Sequence, residues 1–219
     1  MLYQTWSGEV ILNEFLVTCE HGGNRIPAAY RSLFRGHSDL LKSHYGHDPG
    51  ALTMARSLAL ALNAPLVSAT LSRLLIDLNR PAGHPQLYSK ITRKAPADIR
   101  AEIASLYHRP YLEEVERLVG ESVSHGRRVI HISSHSFTGE LNGKVRDADV
   151  GLLYDPRRGG EAELSARWKE KLAEIAPEFR VRRNYPYQGR SAGLTAQLRL
   201  KHPANSYVGI EPVSYTHLT

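Results

Sequence analysis

Glu14-Phe-Leu-Val-Thr-Cys-Glu20, followed at once by His21-Gly-Gly-Asn24, decides how the rest of the chain is read. Seven residues rich in apolar and β-branched side chains predict a strand, and the Gly-Gly-Asn signature predicts that it feeds a turn. The same design recurs downstream. Arg128-Val-Ile-His-Ile-Ser133 runs into Ser134-His135-Ser136, and Leu74-Leu-Ile-Asp-Leu78 stops at Asn79-Arg80-Pro81. Further strands are expected at Pro65 to Thr70, Val150 to Tyr154, Phe179 to Arg182 and Ser206 to Glu211. Between them, Ala51 to Leu62, Glu161 to Ile175 and Ser191 to Leu200 carry apolar residues at helical spacing. Pro96 to Leu118 is a longer amphipathic region that Pro110 should break or kink, and Gly83 to Lys94 is expected to be a surface loop. Strands alternating with helices predict an α/β fold, a three-layer αβα arrangement around a largely parallel mixed sheet, in which ligands bind outside the carboxyl ends of the strands.

Composition excludes several classes. The chain has 219 residues, 42% hydrophobic and 23% charged, which suits one packed domain over residues 1–211 rather than a disordered or fibrous chain. Apolar runs such as Leu58 to Leu62 fall far short of the roughly 18 residues of a membrane span. Met1 to Val10 is polar and lacks the layout of an export signal, so a cytoplasmic location is expected. Cys19, the single cysteine, sits in the first apolar strand and reads as a buried thiol. The net charge of +6 is spread along the chain without a dense basic block, so it points to an acidic small molecule rather than to nucleic acid. No membrane partner is expected, and the oligomeric state is left open. G-x-S-x-G, P-loop and G-x-G-x-x-G patterns are missing, which argues against serine hydrolases, kinases and dehydrogenases.

The polar residues at the predicted strand ends are the candidate chemistry: Glu20, His21 and Asn24, then Asn79 and Arg80, then His135, then Glu211. Two histidines and one carboxylate leave a catalytic zinc its fourth position for water, and His21 with His135 is the chosen pair. For the third ligand Asp48 is favoured, with Glu20 and Asn24 as alternatives. Asp48 could equally be the N-cap of Ala51 to Leu62, with Pro49 at the first helical position. Arg73 and Arg80 flank the Leu74 to Leu78 run, and a guanidinium there can grip a carboxylate with two parallel hydrogen bonds, unless each only forms a surface ion pair. Glu211 closes an apolar strand and is placed to take a proton from metal-bound water.

Together, Cys19-Glu-His-Gly-Gly-Asn-Arg-Ile-Pro27, His47-Asp48-Pro-Gly-Ala51, Ser72-Arg-Leu-Leu-Ile-Asp-Leu-Asn-Arg-Pro81 and Ser133-Ser-His-Ser-Phe137 resemble the N-formylglutamate amidohydrolase family. Arg146-Asp-Ala-Asp-Val-Gly-Leu-Leu-Tyr154 and Asn184-Tyr-Pro-Tyr-Gln-Gly189 extend the likeness over nearly the whole chain. The resemblance implies a zinc-carboxypeptidase-like (phosphorylase/hydrolase-like) fold shared with aspartoacylases. It also implies a zinc-dependent amidohydrolase that deformylates N-formyl-L-glutamate or removes another small N-acyl group from an acidic amino acid. By it, His21 and His135 bind zinc, Arg73 steadies the oxyanion, Asn79 and Arg80 hold the substrate carboxylate, and Glu211 activates water. Where that pattern has the glutamate of a His-x-x-Glu pair, this chain has Asn24, so Glu20 and Asp48 both stay open as the third ligand. Pro212 to Thr219 departs from the alternating, acidic end expected of the family and reads as a non-native or truncated tail of adapter or cloning sequence. Rival readings are a hydrolase of another N-acyl amino acid or peptide amide, a nucleic-acid-binding module, and an inactive, metal-free protein of the same fold.

Overall fold

The computed structural model describes residues 12–141, 143–191 and 193–215. Met1 to Val10 and the last four residues of the expected tail lie outside them. The strands are β1 (Asn13–Cys19), β2 (Leu66–Ser68), β3 (Arg128–Ser133), β4 (His135–Phe137), β5 (Glu140–Leu141), β6 (Lys144–Val145), β7 (Val150–Leu153), β8 (Val181–Arg183) and β9 (Tyr207–Tyr215). The helices are α1 (Ser38–Lys42), α2 (Ala51–Leu62), α3 (Ala97–Ile103), α4 (Arg109–Ser124), α5 (Gly159–Ile175) and α6 (Leu194–Lys201). The main sheet runs β2-β1-β3-β9-β7-β8, with β4 beside the far end of β9 and β5-β6 forming a separate hairpin. β2, β1, β3 and β9 are parallel, and β7 joins β9 in the opposite sense. Helices cover both faces, so the three-layer, largely parallel mixed arrangement predicted from the alternation is what the chain forms.

Neighbouring residues of β1 show why. Leu16 packs on one face with Tyr111, Val115 and Val119 of α4 and Leu194 and Leu198 of α6. Val17 packs on the other, with Ala51, Ala55 and Ala59 of α2 and with Ile132 and Ile210. Those alanines recur every four residues and let α2 lie close against the sheet. Each large aliphatic side chain buried this way stabilises the fold by about 1.5–3 kcal/mol. No helix among the described residues is long and apolar enough to cross a membrane.

Four expectations need correction. Leu74–Leu78 is buried but is not a strand; it is a string of turns whose backbone is satisfied from elsewhere, by Thr92 Oγ1 donating to Leu74 O (2.9 Å) and Asp77 N donating to Leu87 O (2.8 Å). Asp48 is not the cap of α2: Gly50 holds that position at φ +79°, where glycine carries no Cβ penalty. The short strand expected at Phe179 to Arg182 is β8, shifted to Val181–Arg183. The last strand does not stop at Glu211 but runs to Tyr215. Pro212 is tolerated there because β3 pairs with β9 only as far as Ile210 and β4 takes over at Val213, leaving no ladder partner on that edge for the missing N–H.

The kink expected at Pro110 takes a specific form. α3 passes through a π-helical turn, Ala104–His108, before α4 restarts, so Pro110 falls in the first turn of α4, where its N–H is not needed. That turn delivers His108 Nε2 as donor to Arg80 O at 2.7 Å, tying the helix pair to the segment that carries Arg80.

Candidate metal centre and substrate cavity

Three segments converge beyond the carboxyl ends of β1 and β3. The turn after β1 supplies Glu20 and His21, the loop before α2 supplies Asp48, and the first residue of β4, just past the break from β3, is His135. His21, Asp48 and His135 are all buried, and one ligand atom from each lies within 4.8 Å of the others. His21 Nδ1 is 3.5 Å from Asp48 Oδ2, and His135 Nδ1 is 2.9 Å from the same oxygen. These separations suit a divalent ion that bonds nitrogen and oxygen at about 2.0–2.2 Å. His21 Nδ1 is buried without a hydrogen-bond partner, which is unusual for a polar atom and fits a ligand position better than a structural one. The group is therefore one that could hold a metal ion.

The outward nitrogens of both histidines meet carboxylates. His21 Nε2 lies 2.7 Å from Asp77 Oδ1, and His135 Nε2 lies 3.1 Å from Glu20 Oε2. Such a partner fixes ring orientation and tautomer, so that Nδ1 is presented inward. Glu20 is completely buried and is itself held by the Ser133 hydroxyl (2.8 Å) and the Tyr111 hydroxyl (3.1 Å). Of the three carboxylate and amide candidates for third ligand, Asp48 thus faces both inward nitrogens, Glu20 stands behind His135, and Asn24 is exposed and away from the cavity wall.

Charge keeps these groups ionised. Burial works to raise the Asp48 carboxyl, but His21, His135 and Arg73 outweigh it and hold it well below the ordinary range. Asp77 is likewise depressed against burial, by Arg73 first and then His21 and Arg80. Glu20 is pulled down to about 2, against burial, chiefly by His135. Burial alone would favour neutral His135, yet hydrogen bonds to Asp48 and Glu20 push it well above the usual imidazole value. Cys19, beside the site, has its thiol raised by burial and by Glu20, so it is an inert packing residue.

A cavity of about 530 Å³ opens over the group, lined by Arg73, Asn79, Arg80, His44, His47, Arg146, Tyr187 and Glu211 among others. Arg73 bridges two carboxylates, with Nη1 3.3 Å from Asp48 Oδ1 and Nη2 3.0 Å from Asp77 Oδ2. Arg80 also leans toward Asp77, Nε to Oδ2 being 3.8 Å. Asn79 Oδ1 accepts from Leu194 N at the start of α6 (2.6 Å), and its Nδ2 lies 3.3 Å from His135 Nε2, the nitrogen that faces Glu20. Glu211 is buried in mid-strand, not at a strand end, and its Oε1 accepts from the Thr195 hydroxyl.

Sequence reasoning gave no role to Asp77 or to the pair Arg146–Tyr187. The signal for Asp77 was a lone carboxylate inside the apolar run Leu74–Leu78, which demands a charged partner once buried. No comparable local signal marks Arg146.

Comparison with known proteins gives a consistent picture. No curated protein matches the chain. Among solved structures, gene product Atu2144 from Agrobacterium tumefaciens is similar at 30% identity and a TM-score of 0.78, with 94% of this chain and 81% of that one covered. The N-formylglutamate amidohydrolase from Ralstonia eutropha JMP134 is similar in fold at 22% identity and a TM-score of 0.62, covering 94% and 83% of the two chains. The model of the N-formylglutamate amidohydrolases matches residues 13–211, from the first residue of β1 to Glu211 in β9, and the chain belongs to that family.

Proposed function

We propose that the protein is a zinc-dependent amidohydrolase that cleaves the N-formyl amide of N-formyl-L-glutamate, releasing formate and L-glutamate. The observation that carries the reading is the buried His21-Asp48-His135 group, with a carboxylate behind each histidine and arginines in the cavity wall. Zinc, held by His21 Nδ1, His135 Nδ1 and Asp48, would supply Lewis-acid polarisation and a more acidic bound water. The other residues do the rest. Glu211, oriented by Thr195, accepts a proton from the attacking water and returns it to the amine nitrogen as the C–N bond breaks. Arg73 places its positive charge beside the reacting carbonyl, where the oxyanion develops. Arg80 takes the α-carboxylate, and Asn79, fixed between α6 and His135, sets the wall against which it binds.

The test is zinc content and formate release from N-formyl-L-glutamate by the purified protein, with His21→Ala and His135→Ala alongside. About one zinc per chain, lost in both variants together with turnover, is the expected result. Zinc with no formate from this substrate would refute the substrate assignment, and a zinc-free active protein would refute the metal mechanism.

A further inference from the structure

Arg146 stands apart from the other buried or half-buried arginines of the cavity. Arg73 and Arg80 are both drawn to Asp77, whereas Arg146 makes no ion pair among the described residues. It is nonetheless held in place. Its guanidinium lies over the Tyr187 ring at 4.8 Å and near the Phe137 ring at 5.7 Å, Nη2 donates to the Tyr187 hydroxyl (2.7 Å), and Nη1 donates to Thr138 O (3.3 Å). The backbone around it is fixed as well, since Arg146 N donates to Gly139 O and Asp147 N to the Tyr185 hydroxyl (3.0 Å), with Asp147 paired to Arg180 and Arg182. A half-buried guanidinium with no carboxylate of its own, packed on two rings and facing a cavity, is pre-organised for an anion arriving from solution.

We propose that Arg146, stacked on Tyr187 and Phe137, forms a second carboxylate subsite that binds the side-chain carboxylate of the substrate and selects N-acyl amino diacids over their neutral analogues. This deepens the proposed function and rests on it: the metal group and Arg80 would engage the amide and the α-carboxylate, leaving Arg146 for the distal one. A site built around a charge-assisted pair discriminates strongly, because the neutral analogue leaves the guanidinium desolvated without a partner.

The test is equilibrium binding of L-glutamate and of L-glutamine to the zinc-loaded protein by calorimetry, repeated with Arg146→Gln and with Tyr187→Phe, each checked for an unchanged melting temperature. The expected result is a glutamate preference of about tenfold or more in the parent protein, collapsing to threefold or less in Arg146→Gln and weakened in Tyr187→Phe. No preference in the parent protein, or a preference that survives in Arg146→Gln, would overturn the inference. Formate release, measured in parallel, separates the two ideas. Turnover with an undiminished preference in Arg146→Gln sinks the subsite and leaves the proposed activity standing, whereas a collapsed preference without turnover leaves the subsite standing and sinks the activity.

Discussion

Replacing Asp77 by asparagine would test whether the carboxylates behind the histidines tune the metal group or merely fill space. The side chain changes by one atom, so packing around Leu75 and Ile76 stays the same, but the charge facing His21 Nε2 (2.7 Å) and Arg73 Nη2 (3.0 Å) is lost. Hydrogen bonds to a charged group contribute about 1.5–3 kcal/mol and neutral ones about 0.5–1.5, so each of the two contacts weakens by about 1 kcal/mol. Only the contact that orients and polarises His21 acts on the metal, which sets the loss at about 1 kcal/mol, or about fivefold in zinc affinity. Competition against a chromogenic chelator measures that directly, with the melting temperature of the metal-free variant as a control for folding. A zinc affinity within twofold of the parent would refute the argument that Asp77 acts through His21.

Three further outcomes are expected. Glu211→Gln should lower kcat for formate release by about 10²- to 10⁴-fold while the zinc content, determined by metal analysis, stays at the parent value. Leu75→Ala, at a fully buried position in the turn string that carries Arg73 and Asp77, should cost about 2–5 kcal/mol in denaturant unfolding. His131 is buried between the Thr18 and Tyr207 hydroxyls, and burial pushes it down to about 4, so the unfolded chain takes up its proton first; stability should fall by about 2 kcal/mol between pH 7 and pH 5, and His131→Gln should remove that part of the pH dependence in urea titrations.

The elements that were legible in the sequence are those whose periodicity reflects their burial. β1 and β3 are covered on both faces and read as continuous apolar runs, and α2 shows its alanine stripe directly. Leu74–Leu78 is an apolar run like β1 but has no strand partner, because its polar backbone atoms are paid for by Thr92 and Leu87, which no local pattern ties to it. Asp48 illustrates a second limit. Asp-Pro-Gly before a helix is a sound capping signal, yet His135 and Arg73, distant in sequence, recruit the carboxylate and leave the cap to Gly50. Which of Glu20 and Asp48 faces the inward nitrogens of the two histidines is fixed only when those histidines are placed in three dimensions.

The charges around the cavity tie these observations together. Counted formally, four carboxylates, Glu20, Asp48, Asp77 and Glu211, gather around the histidine pair, against the guanidiniums of Arg73 and Arg80. With both imidazoles counted as neutral, the state in which they could ligate a metal, the cluster is short of two positive charges, and buried charges are tolerated only when paired. A dication bound by His21, Asp48 and His135 would close that difference without any further residue. Arg146 then remains as a cationic group with no carboxylate of its own in the wall, so the loaded cavity would present positive charge to whatever enters it. A neutral amide would gain nothing from that arrangement and an amino diacid would, so the proposed metal site and the proposed Arg146 subsite would act together in selecting an acidic N-acyl amino acid.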